Sequence, residues 1–370
     1  MIRYRWLRLA ALAGWLMTCS AAFAQNPAAL KSFNQGIEFM KKQEFDKAIP
    51  AFDAALKANP MFHEAYYNRG LAWQSKGDED KAIADYTLAI KFNPLYGLAH
   101  NNRGMAWHAK REYSKALADF TEAIKLDAKS AIHWHNRGMT HNDLKDFKKA
   151  LADHDKAIEL NPKEPLFHIS RGVARAGLEE HDKAIADYDE ALKLDPKNVM
   201  AFHHRGEAHQ AKKETAEALD DFEAAIKLGT KDPNTYYKRA LIYVGVGAYE
   251  RAIADYSKAI ELAPSHAILY FNRGNSYRHT KEFDKALADL NKAVDLEPKD
   301  HLNYQGRANV FAERKDFDKA IADYSQALKL KPDFAAAFYN RGLVHRMKGD
   351  KEKAEADLKE AAKLDIRYAR

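Results

Sequence analysis

The chain has 370 residues with 59 basic against 53 acidic side chains, a formal net charge of +6, and one cysteine. Arg3, Arg5 and Arg8 fall in the first 24 residues, and without them the balance is 56 to 53, which leaves no nucleic-acid footprint. Cys19 lies in the same stretch, so the rest of the chain can form no disulfide and must be held by packing.

Residues 1–24 read as a targeting segment and not as fold. The three arginines form a basic start, Leu9 to Met17 an apolar stretch, and Ala22-Phe23-Ala24 a small-x-small cleavage site. A cleaved signal peptide places the mature chain in the periplasm or outside the cell. One rival is a lipoprotein box at Leu16-Met17-Thr18-Cys19, although Thr18 is a poor residue before the cysteine. Membrane attachment is expected only if Cys19 is lipidated. An uncleaved anchor is the other rival.

From Ala29 the sequence repeats every 34 residues without an insertion, in ten units beginning at 29, 63, 97, 131, 165, 199, 233, 267, 301 and 335 and ending at 368. Alanine holds positions 20 and 27 of every unit, from Ala48 and Ala55 to Ala354 and Ala361. Glycine holds position 8 except at Ala240 and Ala308, and proline closes seven units at position 32. Such a period means a solenoid, in which each unit buries its apolar face only against its neighbours. Each unit reads as helix A over positions 1–14 and helix B over 18–31. Small residues at 8 and 20 let the two helices approach where they cross, which must offset the roughly 1 kcal/mol that a helical glycine costs. Pro165 and Pro233 take the first helical position, where the missing N–H is harmless. Pro50 falls a turn into a helix B and predicts one lost backbone bond or a slight kink.

The unit 63–96 carries Tyr66, Gly70, Trp73, Ala82, Tyr86, Ala89 and Pro94. In these positions it resembles the tetratricopeptide repeat, and the resemblance runs from 29 to 368. It implies an all-α, right-handed superhelical solenoid of ten helix-turn-helix repeats, binding peptides or proteins in a concave groove. It also implies that helix A lines that groove, at positions 2, 5, 9, 12 and 13. On that frame the candidate groove residues at position 5 are Phe33, Tyr67, Asn101, His135, Ile169, His203, Tyr237, Phe271 and Tyr339, with Asn275 at position 9. Leu98, Ile132 and Leu166 at position 2, and Met105 and Met139 at position 9, extend the same lining. Aromatic residues and methionine are the types enriched in interface cores. The clamp by which related repeats grip chaperone tails needs a lysine at position 5, which no unit supplies, so a chaperone-tail receptor is not expected.

Position 7 is arginine and position 23 aspartate in units two to ten, while unit one has Gln35 and Ala51. Their joint loss suggests structural pairs between helices A and B, among them Arg69–Asp85, Arg103–Asp119, Arg171–Asp187 and Arg273–Asp289. The alternative is an arginine ladder for an acidic ligand. Eleven of sixteen histidines lie between His100 and His209. His141, His209 and His345 occupy the aromatic place at position 11, and His154 the one at 24, as packing substitutes. His108, His135 and His203 fall on the groove face, where only His203 and Glu207 make an i,i+4 pair, and zinc wants three or four ligands. No metal and no cofactor are therefore expected.

No nucleophile elbow, HExxH, P-loop or dinucleotide fingerprint is present, and the chain is not expected to be an enzyme. The expected function is a scaffold that binds an extended peptide or protein segment in envelope assembly or secretion, its oligomeric state left open. The alternative is a small-ligand or metal binder using the histidine-rich repeats three to six. In the last unit Lys351 replaces an aromatic residue and Glu355 an isoleucine, so residues 350–364 are predicted to form a wetted terminal helix.

Overall fold

Position 15 of every repeat turns the chain from helix A into helix B through a left-handed backbone, from Gln43 at φ 58° to Gly349 at φ 94°. Only Gly77, Gly247 and Gly349 meet that requirement without a Cβ; elsewhere Gln, Lys, Arg or Glu adopts it. The computed structural model describes residues 26–368. The leader expected at 1–24, with Cys19, lies outside the described residues.

The described residues form helical hairpins and no strand. The first five are α1 (Pro27–Lys41) with α2 (Phe45–Ala58), α3 (His63–Lys76) with α4 (Glu79–Phe92), α5 (Gly97–Ala109) with α6 (Tyr113–Leu126), α7 (Ala131–Asp143) with α8 (Phe147–Leu160), and α9 (Pro165–Gly177) with α10 (His181–Leu194). Repeat six supplies α11 (Val199–Ala211) and α12 (Thr215–Lys227). The rest are α13 (Pro233–Gly245) with α14 (Tyr249–Leu262), α15 (Ala267–His279) with α16 (Phe283–Leu296), α17 (His301–Glu313) with α18 (Phe317–Leu330), and α19 (Ala335–Lys348) with α20 (Lys351–Leu364). The chain divides into two compact units, one through Lys213 and one from Glu214, so α11 belongs to the first and α12 to the second. Within each, a helix packs on its hairpin partner and on the next repeat, which makes the fold an all-α repeat solenoid.

Local chemistry sets the boundaries. Asn59, Asn93, Asp127, Asn161 and Asp195, all at position 31, accept a hydrogen bond from the backbone N–H two residues on and start the turn into the next helix A. Asp232 and Asp300 cap the helices that follow them. Pro165 and Pro233 stand in the first turn, and Pro50 sits inside the continuous helix α2.

The core is a column of alanines and rings. Ala48, Ala82, Ala116, Ala150 and their successors at position 20 are sealed from solvent, as are Phe52, Tyr86, Phe120 and His154 at position 24. The reason for glycine at position 8 is more specific than close approach of backbones. A Cβ on Gly36 would stand 2.5 Å from the Phe52 ring, and one on Gly172 equally close to Tyr188. Position 8 is thus the seat of the position-24 side chain, a ring in these repeats and a leucine against Gly274 and Gly342. At the far end, Lys351 and Glu355 on α20 are exposed, and a 3-10 turn, Ile366–Tyr368, brings the Tyr368 ring 4.8 Å from Tyr339.

Candidate partner-binding face

The arginines at position 7 are engaged inside the stack. Arg69 donates through Nε and Nη2 to the two carboxylate oxygens of Asp85, at 2.8 and 2.6 Å. Arg103 holds Asp119 in the same two-pronged way, and Arg273 holds Asp289. Most of these guanidinium groups have a second arm that sequence reading missed; Arg239 hydrogen-bonds to Asp255 alone. In the others Nη1 reaches position 25 of the preceding repeat: Asp53 from Arg69, Thr87 from Arg103, Asp155 from Arg171, Ser257 from Arg273. One side chain therefore ties helix A to two helices B. The polar column at position 25 was the signal in the sequence.

The position-5 residues correct the expected lining. Phe33, Tyr67, Asn101, His135, Ile169 and His203 are buried, which corrects the expectation for these six; Tyr237, Phe271 and Tyr339, and Asn275 at position 9, are half-buried, as Met105 and Met139 are. The physical reason is a second ring that covers the first. Phe62 at position 34 lies 4.8 Å from Phe33, and Tyr96 at position 34 lies 5.0 Å from Tyr67. His135 of repeat four is covered by Phe167 of repeat five, at 4.9 Å. Asn101 is occupied inside the stack. It accepts from Asn136 at 2.9 Å and donates to Asn102 at 3.0 Å, whose amide donates to the Tyr67 hydroxyl at 2.9 Å. The six buried side chains bind repeat to repeat and present little to a partner, whereas Tyr237, Phe271, Asn275 and Tyr339 keep part of their surface open.

What helix A leaves most open is position 2. In the first unit Ile132 is 38% and Met200 41% exposed, with Leu98 and Leu166 half-buried in the same register. In the second unit Ile268 is 47% and Leu302 38% exposed. Met105, Met139 and Val173 at position 9, two turns further along, share that face and are half-buried. Repeated apolar exposure in one register is the kind of surface that takes apolar side chains of a partner. Sequence reading placed Leu98, Ile132 and Leu166 there, but gave position 5 the leading part.

The histidines separate into packed and paired groups. His135 is fully enclosed, neither ring nitrogen has a hydrogen-bond partner, and burial alone pushes its pKa down to about 4. Its ring lies 5.4 Å from His154, which burial and the neighbouring His135 also push well down. His203 and His204 on α11 instead converge on Glu207, with Nε2 of the first 3.4 Å and Nδ1 of the second 3.0 Å from one carboxylate oxygen. Burial pushes the Glu207 carboxyl up, but hydrogen bonds from the two imidazoles outweigh it and hold the group far below the usual carboxylate range. Among the described residues, these three form the group that could hold a metal ion. No described helix is long and apolar enough to cross a membrane.

Comparison with known proteins bears on the family. A family profile described as TPR repeat matches residues 177–213 and 308–349. Profiles described as tetratricopeptide repeat match 33–97, 97–130, 131–164, 237–301 and 335–365. Among solved structures, a tetratricopeptide repeat protein from Parabacteroides merdae aligns at 20% identity with a TM-score of 0.57, covering 66% of this chain and 97% of its own. YrrB, described as a TPR protein with an unusual peptide-binding site, aligns at 23% identity with a TM-score of 0.48, over 51% of this chain and 97% of its own. Yeast Tom70 covers 91% of this chain and 92% of its own, at 18% identity and a TM-score of 0.40. No curated protein sequence matches this one.

Proposed function

The chain belongs to the tetratricopeptide repeat family, whose members are scaffolds for protein–protein interaction, and on that premise we propose that it is a non-enzymatic scaffold that holds an extended peptide or protein segment along its helix-A face. The observation that carries this reading is the exposed position-2 register, with Ile132 and Met200 in the first unit and Ile268 and Leu302 in the second. A soluble chain gains nothing by wetting the same apolar position again and again, and a partner's side chains would dry it. The buried position-5 residues set the spacing of that register.

The leader at residues 1–24 supports a place outside the cytoplasm, in the periplasm or secreted, and so a role in envelope assembly or secretion. Mass analysis of the mature N-terminus tests the location: an end just after Ala24 supports it, and an acylated Cys19 would put the protein on a membrane leaflet. Affinity capture from an envelope extract tests the binding. The parent should retain a partner that an Ile132→Glu/Met200→Glu variant of unchanged helicity does not. Equal retention by both would contradict the reading.

A further inference from the structure

One turn of α11 carries three metal-capable side chains whose donor atoms all lie within 4.8 Å of one another. The i,i+4 spacing of His203 and Glu207 and the i,i+3 spacing of His204 and Glu207 put all three on one side of the helix. His203 and His204 are chain neighbours, yet their rings stand 5.0 Å apart and 75° to each other, so both aim a nitrogen at the same oxygen. The Tyr188 ring stacks beside His204, with centroids 6.0 Å and planes 25° apart. His203 is buried and the other two are half-buried, so the group is sheltered and still reachable by a small ion.

We propose that His203, His204 and Glu207 form a binding site for a divalent transition metal of the zinc class, with water completing the shell. Ligand atoms around a tetrahedral zinc with bonds of about 2.0–2.1 Å stand roughly 3.3 Å apart. The separations of 3.4 and 3.0 Å to Glu207 are already close to that edge. Two imidazole nitrogens and one carboxylate oxygen suit zinc, nickel or copper and are a poor match for calcium or magnesium, which prefer oxygen alone. A neutral ring that donates its N–H to Glu207 can free that nitrogen by carrying its proton on the other one, so it ligates without net proton release. His108 faces Asp143 and His100 faces Asp119, and among the described residues no other three of these side chain types converge in this way. Sequence reading found His203 and Glu207 and stopped at two; His204 supplies the third. The inference is independent of partner binding and can fail without affecting that reading.

The test is calorimetric titration of the full chain with zinc chloride in a non-chelating buffer, for the parent, Glu207→Gln and His204→Phe. Circular dichroism melts confirm that each variant is folded. The parent should bind one tight equivalent, and each variant should lose affinity by no less than the roughly tenfold that removal of an outer-shell partner costs. Substituting cobalt should give the visible absorption of a tetrahedral ion in the parent and not in Glu207→Gln. The proposal is overturned if the parent shows no tight equivalent, or if both folded variants bind zinc with its affinity and stoichiometry.

Discussion

Arg171 holds Asp187 on its own repeat, with Nη2 2.6 Å from Oδ1, and reaches back with Nη1 to Asp155 on the repeat before, at 2.9 Å. Asp187 is buried, whereas Asp155 is half in solvent, so the two arms are not equal. The buried arm carries most of the energy, although Asp187 is shared: Arg175 Nη1 stands 2.9 Å from the same Oδ1 and would keep a cation beside the desolvated carboxylate if Arg171 were removed. The exposed arm adds roughly 0.2–1 kcal/mol and links helix A to the helix B of the preceding repeat.

Arg171→Ala is therefore expected to destabilise the stack by about 2 kcal/mol, below the roughly 3–5 kcal/mol of a fully broken buried pair, because Arg175 still faces Asp187 at 2.9 Å. Denaturation with urea measures it, read as a loss of midpoint in the first unit. The same variant should keep its partner under conditions where it remains folded. If it melts like the parent and loses its partner, the arginines belong to the binding surface.

A second expectation concerns acid. His135 titrates near 4 when folded and near its ordinary 6.5 when unfolded, so the unfolded chain binds the extra proton first. The stability contributed by the neutral ring is complete above about pH 6.5 and is lost progressively as pH falls toward about 4, with no further loss below that. The shift corresponds to about 3 kcal/mol. His135→Phe, which restores the ring type found at Phe33, should remove that share of the acid sensitivity. Denaturation curves for parent and variant at neutral and acidic pH decide it, and parallel losses would show that His135 is not the sensitive group.

Much of this molecule was legible in its sequence, because the period carries its own frame. Position 20 had to be small and position 24 large, and the sealed Ala150 and His154 follow from phase alone. The pairing of Arg171 with Asp187 was legible from the joint exception at Gln35 and Ala51. The depth of position 5 was not. Whether Phe33 or Tyr67 faces solvent depends on Phe62 and Tyr96, which stand in the next turn and cover them across a loop. A helical register gives a direction around one helix; it does not say what the following segment lays over that face. His204 was passed over for a similar reason, since i,i+3 and i,i+4 partners count together only when their rings turn toward the same atom.

The turn at position 15 gives a third test. Gly77 closes α3 at φ 82°, where a side chain is strained. Gly77→Ala should cost about 1 kcal/mol, and Gly77→Asn less, because asparagine tolerates the left-handed region better. Thermal melts of the three proteins measure the order. An alanine variant as stable as the parent would mean that the turn relaxes, despite holding the same conformation in all ten repeats.

The most direct test of partner binding along the helix-A face is site-specific photo-crosslinking in the intact cell. A photoreactive residue at Ile132 or Met200 samples that face, and one at Glu159 or Lys193 samples the exposed side of helix B. The expected result is a discrete adduct of one mass from Ile132 and Met200 and none from Glu159 or Lys193. Adducts from the helix-B positions alone, or from all four alike, would contradict it.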